Sequence, residues 1–195
     1  MSGGDRTAKA RAAFTATGVL TFGHGTAEQP ELEELLRDAG VQLVVDVRRY
    51  PSSRRHPHVN EGNLSRWLPE AGIAYRWEER LGGRRDPVPG SPHTAIRDEA
   101  IRAYADHLGS AAFDAAVAEL LEDAGAQRTA VMCAESSWRR CHRRLIADRL
   151  TLLEGAEVQH LGHDGGREPH QPSGEARVEG GRLIYDGGAP TLDLD

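Results

Sequence analysis

The sequence predicts an α/β fold: a single three-layer domain around a mainly parallel sheet, followed by a flexible C-terminal tail. Three observations carry this. Short apolar runs such as "VQLVVDV" and "TAVMCA" lack alternation, as expected of strands buried on both faces. They alternate with helical patterns, the signature of parallel strands joined by crossover helices. And 195 residues, 38% hydrophobic and 28% charged, suit one domain with a proper core rather than a disordered chain.

Residues 1–16 are small and polar and read as a flexible N-terminal arm; 17–162 form the α/β domain; 163–195 are a Gly/Pro-rich tail. "GVLTFGH" (18–24) is a first buried strand that ends at His24. "PELEELLRDAG" (30–40) is a helix with Pro30 near its start, Gly40 at its end and Leu32, Leu35 and Leu36 inward. "VQLVVDV" (41–47) is the clearest strand, followed by a long Arg/Pro/His loop. "EGNLSRWLPEAG" (61–72) contains a helix that buries Leu64, Trp67 and Leu68, and "IAYRW" (73–77) is a third strand. "LGGRRDPVPGSPH" (81–93) is a surface loop. Residues 95–124 give one or two helices with Ile101, Tyr104, Leu108, Phe113, Val117, Leu120 and Leu121 buried. "TAVMCA" (129–134) is a strand, "SWRRCHRRLIADRLTLL" (137–153) a helix and "AEVQHLG" (156–162) the final strand. In the tail, "RVEGGRLIYDGG" is a candidate short hairpin on Gly-Gly.

No apolar run reaches the ~18 residues of a membrane span, and the N-terminus lacks an apolar signal core, so a cytoplasmic protein without a membrane partner is expected. The net charge of −6 argues against binding nucleic acid through bulk charge. Locally the picture differs. Of the 24 basic residues only Lys9 is a lysine, and "RRYPSSRR" (48–55) and "RRCHRR" (139–144) each hold four arginines, whose forks suit phosphate. Codon bias accounts for an overall arginine excess but not for the clustering.

In such sheets ligands sit outside the carboxyl ends of the strands. His24, Asp46, Arg48, Cys133, Glu135 and His160 all lie at or near such ends and are expected on one rim. Asp46 interrupts an apolar run, so it is either a paired structural carboxylate or an acid/base group. Cys133 ends a strand just before a predicted helix, whose amides and Arg139 and Arg140 would favour a thiolate. Read instead as a small core residue, it is structural. Because Glu135 two places on opposes a thiolate, a sluggish, structural Cys133 with Glu135 facing the substrate is expected. Cys141 falls on one helical stripe with Trp138, Leu145 and Leu152 and reads as core. Two cysteines make no disulfide framework. A Cys-Cys-His zinc site has only weak support, because no C-x-x-C occurs. No cofactor motif is present and no metal is predicted.

Cys133 to Arg139 spells Cys, five residues, Arg, which resembles the phosphate loop of cysteine phosphatases, and "VVDVR" resembles a rhodanese segment. A longer resemblance spans about residues 18–162. "TFGHGT", "VVDVRRYPSSRRHPHVN", "LSRWLPEAGIAY", "LGG", "MCAESSWRRCHRR" and "VQHLG", in this order, resemble the family known as domain of unknown function 488. The resemblance implies an α/β domain, Rossmann-like or rhodanese-like, with a common polar site at His24, Asp46, Arg48, Pro51, Tyr75, Gly82, Gly83, Cys133, Glu135, Cys141, His142 and Arg143. Gly25 departs from it, standing where the family commonly has serine, and "SSWRR" makes this loop more basic than usual.

The expected function is an enzyme acting on a nucleotide or nucleic acid, hydrolysing a glycosidic or phosphoester bond. Glu135, Asp46, His24 and Cys133 are the candidate catalytic groups. Arg48, Arg49, Tyr75, Gly82, Gly83, Arg139, Arg140, His142 and Arg143 are candidate substrate contacts, with Tyr50 or Trp77 available to stack a base. Phosphatase or sulfurtransferase chemistry at Cys133, and a non-catalytic anion-binding module, are the alternatives.

Overall fold

The computed structural model describes residues 18–188; the expected N-terminal arm lies outside them. Five parallel strands, β1 (Gly18–Gly23), β2 (Leu43–Asp46), β3 (Ala74–Trp77), β4 (Thr129–Cys133) and β5 (Glu157–Leu161), form the sheet with a short antiparallel sixth, β6 (Arg167–Pro169). Their order is β3-β2-β4-β1-β5-β6. The mostly parallel α/β architecture read from the sequence is therefore what the chain adopts.

Helices cover both faces. On one lie α1 (Gln29–Asp38) and α2 (Glu61–Glu70), whose Leu32, Leu36, Leu64 and Leu68 pack on Leu20, Phe22, Val44 and Met132. On the other lie α3 (Glu99–His107), α4 (Ala111–Ala126) and α5 (Arg143–Leu152), whose Tyr104, Phe113, Leu120 and Leu145 pack on Val19, Val45 and Val131. Alternate strand residues feed the two cores, which is why no polar/apolar alternation shows in these runs.

One helix departs from expectation. The segment 137–153 opens with a 3-10 turn, Trp138–Arg140, breaks at the extended Cys141 and becomes α-helical only at Arg143. Tertiary contacts override the helical period here. The Trp138 ring stacks on His160 at 4.0 Å, and its indole N–H donates to Glu168 at 3.1 Å. The expected Trp138–Cys141–Leu145–Leu152 stripe does not form. Cys141 is buried regardless, while Leu152 is exposed.

After His163 the chain carries β6 and then a hairpin, β7 (Ala176–Glu179) and β8 (Arg182–Tyr185), that turns on the left-handed Gly180 and Gly181. Tyr185 is fully buried, and its hydroxyl donates to Asp148 of α5 at 3.0 Å. Asp148 also accepts from Ser173 N (2.9 Å), Ser173 Oγ (2.7 Å) and His170 Nε2 (2.9 Å). From His170 Nδ1 the chain of bonds continues to His160 Nε2 (3.0 Å), and from His160 Nδ1 to Thr21 Oγ1 (2.6 Å). His160 thus ties this segment to β1 through Thr21 and is not among the residues that line the site described below.

Burial, His170 and Arg143 together lower the His160 pKa from 6.5 to about 3. Arg139 adds to the lowering, and Glu168 opposes it. The unfolded chain protonates this ring near pH 6.5 and the folded one does not. Its contribution to stability is therefore complete above about pH 6.5 and is lost as pH falls toward 3. Urea midpoints should drop across pH 6.5–4.5, and His160→Gln should flatten that slope while weakening the fold at pH 7. A variant slope equal to the wild type would assign the acid sensitivity elsewhere.

Candidate functional site

The register of the central strands builds the site. Gly23 pairs with Cys133, and Asp46 with Met132, so β1, β2 and β4 end level with one another. The ladder runs one step further: His24 N donates to Cys133 O and Val47 N to Met132 O, each at 2.9 Å. Gly23 is required here because a Cβ would overlap the Glu135 carbonyl oxygen. Above these ends lies a cavity of about 510 Å³. His24, Cys133, Cys141 and His142 line it from below, and Arg48, Arg49, Arg84, Glu135 and Arg140 also border it. Tyr50, Ser52, Ser53 and Gly83 contribute from the loops, and Ile101 and Tyr104 from α3.

Asp46 lies beneath the cavity, fully buried and absent from its lining. It accepts from Arg48 Nε (2.8 Å to Oδ1), Arg48 NH2 (2.5 Å to Oδ2), Arg48 N (3.1 Å) and Tyr75 OH (3.0 Å). Arg48 NH2 also donates to Val59 O at 2.7 Å. Burial opposes the Arg48 charge, but the bonds to Asp46 outweigh it and hold its pKa above the ordinary arginine value. Burial, then the Asp46 carboxylate, push the Tyr75 phenol well up, so it serves as a donor. The carboxylate's lone pairs are taken, and the geometry makes Asp46 a holder of Arg48.

His24 is buried, and Nδ1 lies 3.0 Å from Gly25 O, an acceptor, so Nδ1 carries the proton. Nε2 faces Arg48 NH1 at 3.4 Å. Burial and the Arg48 charge lower its pKa to about 4. At neutral pH the ring is uncharged and offers a lone pair at Nε2, not an acidic proton.

Cys133 and Cys141, both buried, face each other across His142. His142 Nδ1 is 3.7 Å from each sulfur, and Nε2 is 3.0 Å from Val47 O. The bond to Cys141 and burial hold the Cys133 thiol well up; the same bond and His142 bring Cys141 well down. The two sulfurs and Nδ1 lie within 4.8 Å of one another, a set of metal-type donors to which the sequence spacing lent only weak support. Gly83 packs against this imidazole, where a Cβ would stand 3.0 Å from Nδ1.

The remaining candidates separate. Gly82 supports the Arg49 backbone, and Arg49 itself pairs with Glu79 at 2.5 Å. Arg139 does not face the cavity: it binds Glu168 and stacks on Trp138, so the Cys-to-Arg phosphate loop suggested by spacing is not formed. Arg143 is buried and ties the 135–136 carbonyls to Thr21. It holds the loop after β4 and does not border the cavity. Trp77 donates to Arg48 O at 2.8 Å away from the cavity, whereas Tyr50 borders it and is exposed. Arg84 and the Tyr104 wall went unrecognised in the sequence. Arg84 is the one non-glycine among the described residues with positive φ (57°), and no periodicity announces that.

No described helix is long and apolar enough to cross a membrane. No curated protein and no solved structure matches the chain. The family model for "Domain of unknown function DUF488" matches residues 30–150, the stretch that supplies every cavity residue named above except His24, and the chain belongs to that family.

Proposed function

We propose that the cavity accepts a phosphate-bearing ligand, a nucleotide or a nucleic-acid end, and that the chain is a hydrolase of its phosphoester or glycosidic bond. One observation carries this reading. Arg84 and Arg140 border the cavity with no ion pair among the described residues, while Glu135 borders the same space uncommitted. Unpaired guanidinium forks beside an apolar wall suit a phosphate with a base against it. Tyr50 is placed to stack that base.

Within this reading Glu135 is the general base that takes a proton from the attacking water. Neutral His24, whose Nε2 accepts from Arg48 NH1, holds that guanidinium at the cavity. Arg48, fixed by Asp46, stabilises the charge that develops on the leaving group. Nucleophilic chemistry at Cys133 has less support, because its thiol is held protonated and Arg139 is turned away.

Calorimetry with inorganic phosphate, mononucleotides and short single-stranded oligonucleotides tests the reading. Arg140→Ala should weaken binding about tenfold, roughly 1.4 kcal/mol. Arg139→Ala should leave it unchanged. Glu135→Gln should keep binding and lose at least about a hundredfold in turnover of whichever ligand is cleaved. Equal affinity in wild type and Arg140→Ala, or no binding by any of the three classes, would remove the anion site.

A further inference from the structure

We infer that Cys133, Cys141 and His142 form a binding site for one thiophilic divalent cation of the zinc class, with its open coordination position facing the cavity. The inference stands apart from the anion reading, since it rests on the donors alone.

The two sulfur–nitrogen distances match a metal's requirements. With metal–sulfur bonds of about 2.3 Å and metal–nitrogen bonds of about 2.0–2.1 Å at tetrahedral angles, each sulfur–nitrogen edge is about 3.6 Å. Both observed edges are 3.7 Å. Sulfur–nitrogen separations of this length are also those of weak thiol hydrogen bonds, so distance by itself does not decide.

The orientation of His142 does more. Val47 O can only accept, so at 3.0 Å the Nε2 atom carries the ring proton. In the neutral ring Nδ1 therefore turns its lone pair toward both sulfurs. A ring nitrogen fixed by a backbone carbonyl while the other faces the metal is the outer-shell arrangement that orients histidine ligands. Tyr104 supports the ring edge-on, with centroids 4.9 Å apart. Gly83 keeps space beside Nδ1 that any Cβ would crowd.

Two adjacent buried sulfurs are poorly accommodated as thiolates without a counter-charge. A divalent cation supplies it. Each thiol gives up its proton as its sulfur–metal bond forms, so two protons leave for one cation bound and the centre becomes neutral. Three protein donors, two of them thiolate, select zinc-like ions over magnesium or calcium. All three donors line the cavity, so the remaining position is open to water or to a ligand's oxygen.

The test is titration of the reduced, chelator-treated full-length protein with cobalt(II), a spectroscopic stand-in for zinc. One equivalent should bind with thiolate-to-cobalt charge-transfer bands in the near ultraviolet and visible bands of tetrahedral intensity. Zinc should bleach both. Cys133→Ser, Cys141→Ser and His142→Ala should each weaken binding at least tenfold and alter the bands, with folding checked by circular dichroism. Arg140→Ala should retain the cobalt spectrum while binding phosphate about tenfold more weakly, which separates failure of this site from failure of the anion reading. A folded, reduced wild type that shows no charge-transfer band overturns the inference. So does a His142→Ala protein with an unchanged spectrum and affinity.

Discussion

Asp46→Ala should destabilise the protein by about 3–5 kcal/mol, the cost of leaving a buried charge without its partner. Arg48 is only 6% exposed, and three of its side-chain bonds end on Asp46. Removing the carboxylate strands that guanidinium and the Tyr75 hydroxyl together. The pair itself is worth less than this number implies, because most of the cost is the orphaned charge. Asp46→Leu combined with Arg48→Met should therefore recover much of the lost stability without restoring function. Urea denaturation followed by circular dichroism measures both. A loss below about 1 kcal/mol for Asp46→Ala would mean that the carboxylate is not committed to Arg48 and would return it to the list of acid/base groups.

Asp148→Ala should cost about as much, at a place far from the cavity in sequence logic. Four donors end on this fully buried carboxylate, from His170, Ser173 (twice) and Tyr185. Hydrogen bonds to a charged acceptor contribute about 1.5–3 kcal/mol each in isolation, but they are not additive when they share one group. A total near 3–5 kcal/mol is expected, with Asp148→Asn milder. The same variant should expose residues 163–188 to limited proteolysis well before the remainder of the chain. Cleavage elsewhere first would show that Asp148 does not clamp this segment.

Much of the fold was legible because each strand announces itself. "VQLVVDV" and "TAVMCA" are apolar on both faces, and the helices between them carry clear stripes at Leu32, Leu35, Leu36 and at Leu64, Trp67, Leu68. The site was legible in outline for one reason: His24, Arg48, Cys133 and Glu135 sit at strand ends in a parallel sheet, and topology alone brings them together. What stayed hidden depends on side-chain direction. Nothing in the spacing tells that Arg139 turns to Glu168 while Arg140 turns to the cavity, or that Asp46 spends its lone pairs on a neighbour two residues away. Cys141 read as core by helical period, and it is buried, but the helix had not yet begun there. The period thus led to the burial and away from His142 and Cys133. The segment after His163 looked loose because it is rich in Gly and Pro, yet His160, His170, Asp148 and Tyr185, scattered over three elements and a loop, join only in three dimensions.

The three-residue strand β6 settles how the sheet ends. A parallel sheet whose last strand lay open would offer β5's row of unpaired amides and carbonyls to any other chain. β6 takes up that row along Gln159–Leu161 and finishes at Pro169, which has no amide hydrogen to give. Its reversed direction and brevity leave little for a further strand to extend. A fragment trimmed to the α/β repeat alone would expose a ready template for intermolecular β-pairing. The segment that looks most dispensable thus covers one of the two edges of the sheet, the other being β3.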